Sequence, residues 1–120
     1  MYRIIRRMKY EFVHLGPFEC KAAKLRLSLE DVRAIELAIM ESPTKFPVIQ
    51  GTGGLRKMRF ASEQSAGGKS GGIRVCYFLV DARNRVYMVT LFAKNEKENL
   101  SPADRNTIAK WIATIRKEES

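Results

Sequence analysis

Apolar residues recur along this chain with two different periods, and the changes of period mark its elements. Val86-Tyr87-Met88-Val89-Thr90-Leu91-Phe92 is apolar on both faces of an extended backbone, the pattern of a strand covered from both sides. Upstream, residues 73–80 are dominated by β-branched and aromatic side chains through Val75-Cys76-Tyr77-Phe78-Leu79-Val80. Asp81-Ala82-Arg83-Asn84 is a turn-forming set, so these two strands (73–80 and 85–92) are predicted to form a hairpin. A further strand is predicted over 54–61. Tyr10-Glu11-Phe12-Val13-His14-Leu15 alternates more weakly and reads as a short strand ended by Gly16-Pro17.

Elsewhere the period is helical. Ser28 with Asp31 three residues on resembles a capping box. Val32, Ile35, Leu37, Ala38 and Ile39 then supply an apolar face that runs to about Glu41, where Ser42-Pro43 stops it. Ser101-Pro102-Ala103-Asp104 combines an N-cap, a proline at the first position and an acid at the third. Ile108, Trp111, Ile112 and Ile115 follow as one stripe that should pack on the sheet, and the end from Lys117 to Ser120 should fray. Between 18 and 27 the reading is ambiguous, with Cys20 to Leu25 fitting a helical turn; residues 44–50, containing Pro47, are a connecting loop. With 120 residues, the chain is expected to form one domain around one core.

Charge sharpens the picture. Lys and Arg number 22 against 13 Asp and Glu, a net charge of +9, and the excess is clustered. Residues 56 to 74 hold five cations against the single acid Glu63. That is the electrostatic footprint of a nucleic-acid partner. A basic stretch, Arg3, Arg6, Arg7 and Lys9, opens the chain; it reads either as a phosphate-binding arm or as a flexible leader over residues 1–9, with Met8 as an alternative start. No apolar run approaches the roughly 20 residues of a membrane span, and no long apolar segment follows the arginines, so no secretory signal is read. Two cysteines, Cys20 and Cys76, and no CxxC provide neither a disulfide framework nor a zinc motif, which makes a reduced, cytoplasmic setting the default. Cys76 is expected in the core, and the lone His14 is expected to be structural.

The candidate chemistry lies between 51 and 100. Behind Gly51, Gly53 and Gly54 come Arg56, Lys57 and Arg59; in a strand Lys57 and Arg59 share one face and Arg56 takes the other. Gly67-Gly68-Lys69-Ser70-Gly71-Gly72 delivers Arg74 at the mouth of the next strand, and the last strand ends at Lys94, with Lys97 close behind. Gly68-Lys69-Ser70 is not a nucleotide-binding loop. The required first glycine is Glu63, and a strand rather than a helix follows; Lys69 is read as a phosphate contact in a flexible loop. One histidine far from these cations assembles no Ser-His-Asp set, and Glu96 and Glu98 among lysines are simpler as ion pairs than as a metal site, so no metal or cofactor is expected.

What remains is Lys57, Arg59, Arg74, Lys94 and Lys97. Arginines hold phosphate bidentately and stabilise a pentavalent transition state, and a lysine crowded by cations is driven toward its neutral, basic form. Such a set suits metal-free RNA cleavage by attack of a 2′-OH on its own phosphate. A binding surface without chemistry is the plainer alternative.

Three blocks, Gly51 to Arg59, Gly68 to Tyr77 and Leu91 to Leu100, resemble the HigB-like branch of the RelE/ParE toxin superfamily. The resemblance extends more weakly over Phe18 to Gln50 and the final helix. It implies an α+β toxin with a small antiparallel sheet of three to four strands flanked by helices. It also implies the toxin half of a type II toxin–antitoxin pair, with a cognate antitoxin encoded by the adjacent gene, commonly a helix-turn-helix protein. The implied activity is ribosome-dependent cleavage of mRNA, by a metal-independent endoribonuclease that inhibits translation. The family's catalytic lysine and arginine on the first central strand fall on Lys57 and Arg59, the arginine opening the next strand on Arg74, and the lysine after the last strand on Lys94. Arg56, Lys69 and Lys97 are further candidates for RNA contact. RelE itself has an arginine after that last lysine, where this chain has Asn95, and a C-terminal tyrosine, where this chain enters the Ser101 helix. Within the same superfamily, a ParE-like inhibitor of DNA gyrase is the rival expectation.

Overall fold

The computed structural model describes residues 2–61, 72–97 and 99–120. In chain order the elements are β1 (Tyr2–Arg7), β2 (Tyr10–Leu15), α1 (Gly16–Lys24), α2 (Leu29–Glu41), β3 (Arg56–Phe60), β4 (Ile73–Val80), β5 (Arg85–Ala93) and α3 (Pro102–Glu119). They form an α+β fold with one five-stranded sheet in the order β1-β2-β5-β4-β3.

Most boundaries follow from local chemistry. Ser28 accepts from the Asp31 amide while the Asp31 carboxylate accepts from the Ser28 amide, so the capping box at α2 is complete; Ser101 and Asp104 repeat it at α3. The ambiguous stretch after Pro17 is α1, with the proline in the first turn, where its missing N–H costs nothing. Between β4 and β5 the chain makes a single 3-10 turn over Asp81–Arg83 and reverses at Asn84, which takes the left-handed conformation asparagine tolerates.

Two features of the sheet differ from expectation. It has five strands because residues 2–7 pair antiparallel with β2 as an edge strand, instead of hanging free as a leader. It is also mixed, not purely antiparallel: β2 lies parallel to β5, in the register Glu11↔Arg85 to His14↔Met88. A parallel pair needs a crossover, and here α1, α2, β3 and β4 supply it.

Each face of the sheet is covered. In one layer Phe18 of α1 and Ile35 and Ile39 of α2 pack with Phe12, Val75, Tyr77 and Met88 of the sheet; in the other Ile108 and Ile112 of α3 pack with Leu55, Cys76, Phe78 and Phe92. The central strand β5 feeds both layers, which is why its sequence is apolar throughout. Trp111 departs from its predicted stripe. Ile108, Ile112 and Ile115 are buried, whereas the indole stands at the flank of α3, 36% exposed, beside Phe92 and Lys97. Glu119 anchors the far end of α3. Its carboxylate accepts from Arg85 Nη1 at 2.7 Å and Tyr87 Oη at 2.5 Å, and Arg85 Nε also bonds Glu11 at 2.8 Å. The end of α3 is thereby tied to the sheet through Glu119, although fraying was expected there.

Candidate functional site

The cationic site is built at the β3 edge of the sheet, on the α3 side. Register decides it. In the antiparallel β3–β4 pair, Lys57 stands opposite Cys76 and Arg59 stands directly opposite Arg74. Because alternate side chains share a face, all three cations project to the side on which Cys76 and Phe78 meet α3. They line one open cavity of about 430 Å³ with Phe46, Pro47 and Asn99. The Lys57 ammonium donates to Asn99 Oδ1 at 3.0 Å. Arg74 is only 3% exposed, while Arg59 is exposed.

Placing two arginines opposite one another is unfavourable in an isolated sheet, because like charges at a cross-strand pair repel. An anion between them reverses that sign. The cavity can therefore hold a phosphate group, with guanidinium groups from two strands and a primary amine within one small volume.

The wall of the cavity depends on the opposite face. Arg56 points away from Lys57 and Arg59, and its Nη1 donates to the carbonyls of Phe46 at 2.6 Å and Thr44 at 3.0 Å. Together with the backbone bond from the Lys57 amide to the Pro47 carbonyl, this pins the loop carrying Phe46 and Pro47 against β3. In this structure Arg56 shapes the cavity and does not line it. At the other end of β3, Gly72 holds a φ of +78°, and a Cβ there would lie 2.5 Å from the Phe60 carbonyl oxygen. Only glycine fits that turn into β4, two residues before Arg74.

Lys94 and Lys97 do not line the cavity. Lys94 is partly buried in the turn after β5, its amide donating to the Gly72 carbonyl at 3.2 Å. Lys97 pairs with Asp104 at 3.1 Å and lies 5.4 Å from the centre of the Phe92 ring, in a separate groove beside Trp111. That hydrogen bond from Lys97 is the largest of the influences holding the Asp104 carboxyl below its ordinary value. Lys69, with the glycine-rich run 67–71 and its nucleotide-loop look-alike, lies outside the described residues.

Cys76 sits under the cavity floor, fully buried. Burial pushes its thiol up to about 12, although Lys57 and Lys97 pull it the other way. It is core, as its strand context predicts. Among the described residues no group of three or more His, Cys, Asp and Glu side chains could hold a metal ion, and no helix is long and apolar enough to cross a membrane.

Asn99, Phe46 and Pro47 escaped the sequence reading. Nothing in the spacing of an isolated asparagine 42 positions from Lys57 signals that they meet. Phe46-Pro47 lies in a stretch that reads only as a loop. No protein-family model matches the chain.

Proposed function

We propose that this protein is a ribosome-dependent mRNA endonuclease of the toxin–antitoxin kind, acting in the cytoplasm without a metal. The observation that carries the reading is the β3–β4 register, which sets Arg59 against Arg74 and gathers Lys57 into the same cavity. In the proposed reaction the 2′-oxygen attacks the adjacent phosphorus, the P–O5′ bond breaks, and a 2′,3′-cyclic phosphate and a 5′-hydroxyl form. Lys57 serves proton transfer at the reacting oxygens, with Asn99 orienting its amine. Arg59 and Arg74 take up the charge that grows on the non-bridging oxygens. Lys94 and Lys97, outside the cavity, serve as contacts for the RNA backbone beyond it, and the net charge of +9 supports association with a polyanion. The resemblance to HigB-like toxins supports the same reading and adds the ribosome as the body that shapes the substrate. It also adds a neutralising antitoxin from the adjacent gene, whose acidic segment would meet the cationic cavity.

The test is primer extension on a defined mRNA, with and without programmed ribosomes, for wild type and Arg74→Ala. Cuts that require ribosomes and vanish in a folded Arg74→Ala protein are expected. Intact mRNA under every condition refutes the proposal and leaves gyrase inhibition, read as trapped gyrase–DNA complexes, as the next assay. Cleavage by a folded Arg74→Ala protein removes Arg74 from the site.

A further inference from the structure

Beside the cationic cavity lies a smaller groove of about 170 Å³, bordered by α1 and α3. β2 pairs with β5 only as far as Met88, so Thr90 and Phe92, which line the groove, lie beyond the end of β2. The two spaces are neighbours: Asn99 lines the cavity, and Leu100, the next residue, lines the groove.

Trp111 forms one wall of the groove. It is the only tryptophan of the chain and stands 36% exposed, although Ile108, Ile112 and Ile115 of the same helix are buried. The buried stripe of α3 therefore does not depend on the indole. A scattered exposed aromatic needs no explanation, but this one faces a concavity that adjoins a cationic site.

The charges of the groove are already balanced. Lys97 pairs with Asp104 at 3.1 Å and Lys21 with Glu96 at 3.7 Å, two cations against two carboxylates. The interior thus does not select a phosphate. It offers an aromatic surface together with the hydroxyls of Thr90 and Thr107. The complement of such a surface is a nucleobase, which is planar, uncharged and edged with donors and acceptors. The volume falls below the roughly 300–1,000 Å³ of sites that enclose a whole small molecule. It suits one ring system, with the sugar and phosphate left outside. The Lys97 ammonium has more donors than its bond to Asp104 uses, so it can also meet a backbone passing over the rim.

We infer that this groove is a nucleobase subsite. With a backbone phosphate in the cavity of Lys57, Arg59 and Arg74, a placement that rests on the proposed function, the base of an adjoining nucleotide stacks on the Trp111 indole. Stacking accepts every base, so the subsite adds affinity and fixes the path of the strand without selecting a sequence.

Because Trp111 is the only tryptophan, its fluorescence reports on this groove alone. The probes, titrated into the full chain, are a 2′-O-methylated RNA trinucleotide, uncleavable because its attacking oxygen is blocked, and the same backbone with abasic sugars. Saturable quenching by the first and none by the second is expected. The abasic backbone should bind about ten-fold more weakly, read as anisotropy of an end label. Trp111→Leu, at the flank of α3, should weaken the trinucleotide by about ten-fold and leave the abasic backbone unchanged. Trp111→Phe, which keeps an aromatic face, should recover most of that loss. Absence of quenching up to about 1 mM trinucleotide overturns the inference. So does equal quenching by the abasic backbone, or full affinity in a folded Trp111→Leu protein. Cleavage is read separately by primer extension. Quenching with intact mRNA removes the catalytic function and keeps the subsite, whereas cleavage without quenching removes the subsite alone.

Discussion

The β3–β4 register makes a stability prediction that is independent of any assay of cleavage. Arg59 and Arg74 are direct cross-strand partners on one face, so their Cβ atoms are about 5 Å apart by sheet geometry. Two unit charges at about 6 Å repel by roughly 0.7 kcal/mol in water and by roughly 3 kcal/mol at the effective dielectric of a protein surface. Arg59 is exposed while Arg74 is buried and has interactions of its own, which holds the repulsion to at most the lower figure, about 1 kcal/mol. Replacing Arg59 by Gln removes one charge and keeps much of the aliphatic stem. The variant should therefore be more stable than wild type, by at most about 3–5 °C in Tm for a domain of this size. The gain should shrink at about 0.5 M salt, where the Debye length falls to roughly 4 Å. Thermal unfolding followed by circular dichroism at low and high salt measures both. A lower Tm for Arg59→Gln, or a gain indifferent to salt, refutes the claim that these arginines are held together against their repulsion. Under the proposed function the stabilised variant also loses cleavage, the trade expected when charges are arranged for a substrate and not for the fold.

Three further outcomes follow from the packing. In the folded protein a thiol reagent at about pH 8 should label Cys20 quickly and Cys76 only on addition of denaturant, because Cys20 is exposed while burial holds the Cys76 thiol up at about 12. Burial pushes the Glu119 carboxyl up, but hydrogen bonds from Tyr87 and Arg85 outweigh it and leave the group below its ordinary 4.5. Its contribution to stability is thus present above pH 4.5 and lost as pH falls through the lowered value. The Tm advantage of wild type over Glu119→Gln should narrow in acid, and an advantage that does not change with pH would refute the pairing. Gly72→Ala should destabilise by about 2–3 kcal/mol in urea unfolding, from a left-handed backbone and contact with the Phe60 carbonyl, and should disturb the Arg59–Arg74 register. A neutral effect would refute the steric argument.

The elements that the sequence announced are those whose causes are local. Ser28 with Asp31, and Ser101 with Asp104, start their helices through bonds that span three residues, so both capping boxes are legible in the chain. Strand alternation likewise put Lys57 and Arg59 on one face and Arg56 on the other before any partner strand was known. The apolar run of β5 foretold a strand covered on both sides.

Tertiary structure alone decided the rest, because it rests on contacts between residues far apart in the chain. No local pattern states that β2 runs beside β5 in parallel, or that residues 2–7 close the sheet as β1. Which cations share a cavity is a matter of register and of loop path: Arg74 joins Lys57 and Arg59, while Lys94 and Lys97 stay outside. The same holds for Asn99 reaching Lys57, and for Arg7 and His14 converging on Glu36 from β1 and β2. A sequence fixes each residue's local preference through its immediate neighbours. Pairings across tens of residues depend instead on how the two apolar layers close around the sheet, and the composition of a short window carries no trace of that closure.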